Sequence, residues 1–444
     1  KAINAGALGF STSRTILHRD IHGVYVPGTE ASSEEMKELA FAVDRAGEGT
    51  LEIVSDWLDQ EIEMSWMKEY VEKSDCGLTV LQTNGDSVKT ILYCEEQFLK
   101  GKNVRPQFPG RNVGLMFGLE SSLHPFIGHP SYKEISHLPL NERLSIMRDP
   151  AFKQKILNES PSFREDLQKA AKEQKSNKTK EEIKAEAETG KKIISNYETQ
   201  FILSDPPNYE PTREDSIAYL AELRSQSEEE VIYDELIKDD GKSLIYACFT
   251  PYEKYKLKFV ESFYKLKSSV AGGSDGGAHC GLICDASMPT TNLSHWARDR
   301  SAGNKIPLEL IIRKQTKDTA ETYGLFDRGE IKTGMIADIN IIDFEKLNVS
   351  LPKMIFDLPK GGKRLVQESF GYLATIKSGE VVYENGQATG TLPGQVIRGK
   401  QTSEAKDTKE KISFYDRTVR LFAVKLLRLF WAVRNKPVKS TVIS

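Results

Sequence analysis

Short apolar runs alternate with amphipathic stretches along most of this chain. Five of the runs lead into small or polar residues: 7–10, 50–54, 78–81, 104–108 and 270–271. Between them, apolar residues recur every three or four positions, the spacing of a helix with one buried face. The first such stretch begins at Ser32 and Ser33, either of which can cap a helix, and carries Glu35 in its first turn. This alternation predicts an α/β fold with a parallel sheet, in which all five loop ends lie on one face.

Two segments interrupt or extend this alternation with helical patterns. Residues 130–240 predict a long helical insertion between strands. Within it, residues 164–192 are crowded with Lys and Glu, which we interpret as a solvated face or a mobile stretch rather than a binding surface. Residues 307–325 predict a further helix, because apolar residues recur at helical spacing and Gly324 stands near its end.

After residue 325 the pattern shifts to short strands and turns. Residues 374–386 alternate apolar and polar positions on both sides of Ser378 and Gly379, which predicts a β-hairpin with its turn at that pair. We therefore divide the chain into a strand-and-helix domain at 1–325, a small β domain at 326–400 and a tail at 401–444.

The tail combines a polar linker with an amphipathic basic segment, residues 412–434. Its apolar residues are three or four positions apart, namely Val419, Phe422, Leu426, Leu429 and Val433. Basic residues such as Arg420 and Arg428 lie on the other face. Such a helix fits either peripheral contact with an anionic membrane surface or packing on a protein surface. It is too charged to span a bilayer.

Composition narrows the class of protein. The 444 residues are 39% hydrophobic, enough for a large core and for two domains rather than one. A net charge of −3 gives no bias toward nucleic acid. Five scattered cysteines imply no disulfide framework, which favours a reducing, cytoplasmic compartment. The oligomeric state is not indicated.

Asp275 is the main candidate for chemistry. It follows the apolar run Val270–Ala271 and lies within the sequence Gly-Gly-Ser-Asp-Gly-Gly-Ala-His. A catalytic carboxylate at the carboxyl end of a barrel strand is presented in this way, because the strand fixes the side chain and the glycines leave room for a ligand. The alternative is a Gly-rich turn whose Asp bonds to its own backbone.

Three further residues are candidates for substrate binding. Arg111 follows the run 104–108 and could pair with a substrate carboxylate, or form a structural ion pair at the rim. Arg14 has the same two interpretations. His279, four residues after Asp275, could hold substrate or stabilise charge, or bond to the backbone of its own loop.

A series of short motifs, taken together and in order, resembles the sequence pattern of a known family. The motifs are GALGFSTSR at 6–14, RPQFPGR at 105–111, LHPF at 123–126, LPLNERL at 138–144, SDGGAHCGLICDASMPTTNLSHWARDR at 274–300 and DLPKGGKRL at 357–365. Together they resemble the amidohydrolase superfamily, and within it amidohydrolase family 3, which contains the N-acyl-D-amino-acid deacylases. A cyclic amidase of the dihydropyrimidinase kind fits less well, because the SDGGAH context and the insertion match the deacylase branch.

The resemblance implies a fold and a reaction. The five runs become strands four to eight of a TIM-like (β/α)8 barrel, and 326–400 becomes the remnant of a β-sandwich. The expected activity is hydrolysis of a small-molecule amide at a C–N bond other than a peptide bond, as in N-acyl-amino-acid deacylases. The expected cofactor is Zn²⁺, with Asp275 as proton carrier and tentative metal ligand.

The sequence also departs from the family pattern. The family's first barrel strand carries His-x-His, but the seven histidines stand at 18, 22, 124, 129, 137, 279 and 295, and no two have that spacing. The middle strand ends carry Ser55-Asp56 and Thr83-Asn84 in place of metal-binding histidines. The early barrel strands are therefore expected to be missing here. The alternative function is a catalytically inactive homologue that serves as a binding or membrane-associated module.

Overall fold

A computed structural model describes residues 1–20, 24–57, 59–82, 88–161, 194–250, 252–274, 276–277, 279–399 and 413–434. The whole of the Lys- and Glu-rich stretch 164–192 and the linker 401–411 therefore lie outside the described residues, as does Asp275. The domain boundaries at 325 and 400 stay predictions.

The parallel sheet consists of five strands in the order in which they occur in the chain. They are β1 Gly9–Arg14, β2 Thr50–Ser55, β3 Gly77–Leu81, β4 Val104–Pro109 and β8 Val270–Gly272, and each pairs in parallel with the next. Every residue of β4 is buried, as expected for a parallel strand covered on both faces. The predicted α/β fold is confirmed, and each of the five apolar runs overlaps one strand of this sheet.

Helices cover this sheet and extend into the insertion. The first group is α1 Ser33–Arg45, α2 Gln60–Lys73 and α3 Val88–Leu99. The later ones are α4 Pro130–Ile135, α5 Leu140–Met147, α6 Pro150–Leu157, α7 Ile217–Arg224, α8 Glu228–Leu236, α9 Lys258–Tyr264, α10 Met288–Thr291, a π-helix Asn292–Asp299, α11 Leu308–Gln315, α12 Lys317–Thr322 and α13 Phe414–Arg434. Short 3-10 turns lie at Ile3–Ala5, Pro125–Gly128, Tyr197–Thr199, Arg213–Asp215, Asp239–Gly241, Phe344–Lys346 and Pro359–Gly361.

Local chemistry explains where α1 begins and which side it buries. The Ser32 hydroxyl accepts a hydrogen bond from the Glu35 backbone N–H at 3.1 Å, so Ser32 is the N-cap. Met36 and Ala40 belong to a core cluster that includes residues of β2 and β3, and Val43 on the same side of the helix is also buried. The helix predicted over 307–325 is instead split into α11 and α12 by the non-helical backbone of Thr316.

The segment between β4 and β8, called the insertion below, extends beyond the predicted 130–240 on both sides and contains a sheet that the sequence pattern did not predict. Strands β5 Val113–Phe117, β6 Gln200–Ile202 and β7 Ile245–Thr250 form it, with antiparallel pairing in the order β5-β7-β6. Its strands pack with the insertion helices around a separate hydrophobic cluster that includes Phe117 and Ile245. The insertion is thus a mixed unit with its own core, placed between β4 and β8.

The region after residue 325 consists of small antiparallel sheets. Strand β9 Ile339–Ile342 pairs with β14 Tyr372–Lys377, which continues to β15 Glu380–Glu384 and β16 Gln387–Ala388. Two separate pairs are β10 Asn348–Val349 with β13 Ser369–Phe370, and β11 Lys353–Leu358 with β12 Gly362–Val366. The predicted hairpin turn is confirmed: Ser378 and Gly379 have φ of 54° and 86°, as a tight two-residue turn requires.

Helix α13, called the basic helix below, packs on the surface of α3. Val424 is its most buried described side chain, at 5% exposure. None of the helices in the described ranges combines the length and the apolar composition that crossing a bilayer requires.

Candidate functional site

The carboxyl ends of the five parallel strands lie along one edge of the sheet. Arg14 ends β1, Asp56 follows β2, Gln82 follows β3, Gly110 follows β4 and Gly273 follows β8. In α/β folds, ligand sites form at this edge because the loops that leave it are free to vary while the strands hold them in place. In the sequence, the predicted site residues Arg14, Arg111, Asp275 and His279 stand at or shortly after the carboxyl ends of β1, β4 and β8.

Strands β4 and β8 bring two of the predicted loops side by side. Pro109 pairs with Gly272, and a Cβ placed on Gly273 would lie 3.2 Å from the Pro109 Cβ. Gly273 also has a φ of +77°, so both the close approach to Pro109 and the left-handed backbone conformation favour glycine there. Asp275 itself lies outside the described residues, and its role stays a prediction.

His279 lies across the sheet edge from the loop of β1. Its ring centroid is 5.3 Å from that of His18, and His18 Nδ1 is 2.7 Å from the Ser13 hydroxyl. In a flat sheet of this strand order, β1 and β8 would be about 19 Å apart, taking about 4.8 Å per strand. The loops of the two outer strands therefore reach toward each other, and His279 stands where they meet.

Arg14 is occupied by contacts within the protein. Its Nε donates to Glu63 Oε1 at 2.7 Å, and its Nη1 donates to the carbonyls of Gly28 and Ala31. The side chains of Arg14 and Glu63 are each only 10% exposed. Arg14 thus fastens the β1 loop to α2, and its role in substrate binding stays a prediction.

Asp56 ties the end of β2 to the loop of β1. One carboxylate oxygen accepts from the Thr15 hydroxyl at 2.6 Å, and the other accepts from the Ile16 backbone N–H at 2.8 Å. Both oxygens have partners within the loop, so the structure gives this carboxylate a positioning role at the sheet edge.

Arg111 is the most deeply buried of the candidate residues, at 2% exposure. Its Nη2 donates to the Cys284 carbonyl at 2.8 Å and to Asp285 Oδ1 at 3.1 Å, while the guanidinium lies 3.6 Å from the Tyr209 ring centroid. Burial would lower the pKa of Arg111, but Tyr209 and Asp285 raise it above its usual value. Its Nε and Nη1 have no hydrogen-bond partner among the described atoms. Both interpretations of Arg111 stay open: it forms an ion pair, and it retains unused donors.

Arg111 lines a cavity of about 320 Å³, called the inner cavity below. The walls come from the loop after β4, the insertion, the π-helix and β10, and include Gly110, Tyr209, Glu210, His295, Trp296 and Val349. Trp296 donates from Nε1 to the Gly110 carbonyl at 2.6 Å. A Cβ on Gly110 would lie 1.8 Å from Asn292 Oδ1, so only glycine lets the loop after β4 approach the π-helix this closely.

A buried carboxylate and a histidine form the polar end of the inner cavity. Glu210 accepts from His295 Nε2 at 3.0 Å and from Arg300 Nε at 2.9 Å, and a second bond to Arg300 is 3.1 Å long. Burial alone would raise the pKa of Glu210, but hydrogen bonds from His295 and Arg300 lower it to about 2. Glu210 is therefore ionised at neutral pH and fixes the orientation of the His295 ring.

A second opening, the outer groove, adjoins the inner cavity. Its volume is about 520 Å³, and it shares Pro206, Asn348 and Val349 with the inner cavity. Leu351 and Phe370 add apolar surface, and Lys353 and Glu368 form an ion pair at its wall. The two openings thus lie on either side of the same three residues.

The metal that the family resemblance implies was tested against these side chains. Within the described ranges, no group of three or more His, Cys, Asp or Glu side chains is placed to hold a metal ion. Asp275, the tentative ligand, lies outside those ranges. His124 and His129, which stand in the loop before α4, are buried, and burial lowers the pKa of His124 to about 3. The described residues do not fit a metal site, so no step below is assigned to a metal.

Apart from Arg111, sequence reasoning missed the residues that build the inner cavity. Glu210 and His295 are 85 positions apart and belong to no common pattern, so nothing local relates them. The one available signal was the motif SHWARDR, which contains His295, Trp296 and Arg300. Their convergence with Arg111 depends on the insertion folding back onto the sheet edge.

Comparison with known proteins gives one match of sequence and several of structure. Residues 261–383 match a family model described as Amidohydrolase family. No curated protein matches the sequence. Similar solved structures are D-aminoacylases. One is described by the functional role of its binuclear metal centre and has a TM-score of 0.45. Another is described as defining a novel subset of amidohydrolases, with a TM-score of 0.43, and a third is a mutant in complex with copper chloride, with a TM-score of 0.45.

These structures are 16% identical to this chain and cover 88% of it, while the chain spans 62% of their length. Identity and overlap at this level do not by themselves assign an activity. The family match rests on sequence, and it includes β8, the π-helix and most of the small antiparallel sheets. Residues 261–383 are therefore an Amidohydrolase family segment, and the family that the motifs predict is confirmed over that part of the chain.

Proposed function

We propose that this protein hydrolyses the amide bond of an N-acylated amino acid or a closely related small molecule. The matched segment 261–383 supports an amidohydrolase reaction. The single observation that carries the substrate class is Arg111, a buried cation that retains unused donors at the wall of a cavity beside the sheet edge. A substrate with a carboxylate beside its amide matches that combination of charge and space.

In the proposed reaction, water attacks the amide carbonyl carbon while Asp275 accepts its proton. The oxygen–carbon bond forms, the carbon–nitrogen bond then breaks, and Asp275 passes the proton to the leaving amine. The products are a carboxylic acid and a free amine, which at neutral pH become a carboxylate and an ammonium group by transfer of one proton, so atoms and charge balance. Asp275 follows β8 in the sequence by three residues, and β8 pairs with the strand that leads to Arg111.

Arg111 is proposed to orient the substrate. The Asp285 ion pair and the ring of Tyr209 hold the guanidinium in place, so little side-chain entropy is lost when a ligand binds. The inner cavity, at about 320 Å³, is near the lower limit of ordinary ligand sites, which suits the amino-acid portion of a substrate. His279, where the loops of β1 and β8 meet, is proposed as a second substrate contact. For Arg14 to take part, its bonds to Glu63 and to the carbonyls of Gly28 and Ala31 would have to open.

Zinc remains the metal that the family resemblance implies, and measurement of bound metal in the purified protein tests it directly. A cytoplasmic location is likewise proposed from the free cysteines.

The test is a hydrolysis assay on N-acyl-D- and N-acyl-L-amino acids with Asp275→Asn. Removal of a proton carrier lowers kcat by about 10²–10⁴-fold. Asp357→Asn is the matched control, because Asp357 is an exposed carboxylate paired with Arg364 in the small antiparallel region. If Asp275→Asn hydrolyses the substrate as fast as the unmodified protein does, Asp275 is not the proton carrier. Absence of hydrolysis in the unmodified protein, with bound amino-acid derivatives detected by calorimetry, favours the inactive binding module instead.

That second candidate, a non-catalytic module at a membrane, is favoured by one observation. The basic helix keeps Val419, Phe422 and Leu426 exposed, at 50%, 66% and 41%. A surface of this kind indicates a partner, whether or not the protein is an enzyme.

A further inference from the structure

The basic helix is attached to the protein by its charged face. Arg428 forms an ion pair with Glu96 of α3, and Arg420 Nη1 lies 3.9 Å from Glu95 Oε1 on the same helix. Arg420 also donates to the Lys265 carbonyl at 3.2 Å. Val424, one helical turn from each of these arginines, supplies the buried apolar contact. Among the side chains that the structure describes, the pairs Arg420–Glu95 and Arg428–Glu96 and the buried Val424 thus hold the helix on α3.

This attachment turns the apolar stripe outward. Val419, Phe422 and Leu426 are three and four positions apart, so they form one row on the helix. They lie on the side opposite Val424, because successive residues are separated by about 100° around the helix axis. All three are exposed. A helix that docks only on its own protein normally buries this stripe, so the reversed orientation leaves a surface suited to an apolar partner.

The charge of this part of the chain indicates which partner. Residues 412–444 contain seven Lys or Arg and a single Asp, a net charge of +6, whereas the whole chain carries −3. Arg420 and Arg428 are paired with α3 on the opposite side of the helix, whereas Lys425 is exposed on the flank of the stripe. The excess positive charge of this segment, together with its exposed apolar stripe, complements an anionic lipid surface, where basic residues approach headgroups and apolar side chains enter the acyl boundary. The helix has 21 residues, so about 31 Å of its length can lie along such a surface, at 1.5 Å per residue.

We propose that the basic helix binds the surface of an anionic phospholipid bilayer, lying in its plane with Val419, Phe422 and Leu426 inserted. The partner is the bilayer rather than a second copy of this chain, because a self-complementary contact between two such helices would bring two strongly positive segments together. The ion pairs with Glu95 and Glu96 hold the helix in the orientation that presents the stripe.

The experiment is vesicle flotation of the full chain with phosphatidylcholine vesicles and with vesicles that contain phosphatidylserine. We expect binding to the anionic vesicles only, with at least a tenfold loss for Phe422→Glu. Leu427→Glu is the matched control: Leu427 is 55% exposed on the same helix and receives the same charge, but it lies about 100° away from Leu426, off the stripe. The vesicle affinity of that control is expected to fall by less than about threefold. One added negative charge directly at the membrane surface would lower the affinity by at most about fivefold.

Circular dichroism and thermal unfolding of both variants check that the fold is retained. No binding to anionic vesicles, or equal losses in the two variants, overturns the proposal. A concentration-dependent dimer that Phe422→Glu abolishes, without vesicle binding, also overturns it and assigns the stripe to self-association. None of these results depends on the amide-hydrolysis assay, so failure here is distinguishable from failure of the proposed function.

Discussion

Two amphipathic helices of this protein are attached in opposite ways. Helix α1 buries Met36, Ala40 and Val43 on its inner side and leaves Glu34, Glu35 and Glu38 exposed. The basic helix pairs its arginines with α3 and leaves Phe422 and its neighbours outside. Both have the same three-and-four spacing. The spacing therefore predicts that a helix has two faces, whereas the surface beneath it decides which face is buried: an apolar core under α1, and two carboxylates under the basic helix.

The largest expected effect comes from removing an apolar contact of α1. Met36 is fully buried, so Met36→Ala is expected to lower the free energy of unfolding by about 2–5 kcal/mol. Chemical denaturation monitored by circular dichroism measures the change. A loss below about 1 kcal/mol would mean that α1 is not held by apolar packing and that the comparison is mistaken.

Loss of the N-cap of α1 is expected to matter less. Ser32→Ala removes the acceptor for the Glu35 N–H and is expected to cost about 1 kcal/mol. The same denaturation measurement checks it, with Ser33→Ala as a control, because Ser33 is the first residue of the helix and not its cap. If the two changes lowered the free energy of unfolding equally, Ser32 would not be the N-cap of α1.

Arg428→Ala is expected to act locally on the basic helix. Arg428 is 38% exposed, so the global stability should fall by less than about 1 kcal/mol. Hydrogen exchange should nevertheless report faster exchange across 414–434 and no change in α1. The control is Arg45→Ala, which removes a surface pair with Glu38 at 3.7 Å on α1. Faster exchange in α1 after Arg428→Ala would show that the two helices are not independently attached.

Acidic pH should loosen the basic helix before it affects α1. Burial would raise the pKa of Glu96, but Lys100 and Arg428 outweigh it and lower the pKa below the usual 4.5. The pairing therefore stabilises the attachment above pH 4.5, and that stability is lost as pH falls through the lowered pKa. Protection factors corrected for intrinsic exchange should fall in the basic helix before α1. Simultaneous loss would indicate global acid unfolding.

The smallest expected effect is at the exposed stripe. Phe422→Ser is expected to change the free energy of unfolding by less than about 0.5 kcal/mol, because Phe422 is 66% exposed. Denaturation in the absence of vesicles measures this, and Met36→Ala is the natural contrast. A loss above about 1 kcal/mol would show that Phe422 packs within the protein.

The sequence predicted the parts of the fold that have a local signature. The five strands of the parallel sheet, a cap at Ser32 or Ser33 and the turn at Ser378 and Gly379 all follow from neighbouring residues, and the structure places the cap at Ser32. The sheet formed by β5, β6 and β7 escaped prediction, because its strands come from distant parts of a segment whose pattern is mostly helical. The break at Thr316 also escaped, since the helical spacing continues across it.

The candidate site was predictable only where a residue directly follows a strand. Arg111 could be named because it stands two residues after β4, but its contacts with Asp285 and Tyr209 could not, since they come from loops about 100 or more residues away. The pairing of Glu210 with His295 has the same origin. Long-range convergence of this kind leaves no periodic trace in a single sequence.

The insertion of a complete unit between β4 and β8 has a consequence for folding. These strands pair directly, Gln107 with Val270, although the chain between them passes through the insertion. Closing an unstructured loop of that length costs about 4–5 kcal/mol of entropy, by logarithmic scaling with length. Pairing of β5 with β7, which brings Phe117 beside Ile245, itself closes most of this loop, and the packing of the insertion's own core offsets the entropy cost before β8 pairs. We therefore expect the insertion to fold early, and β8 to join the sheet only afterwards.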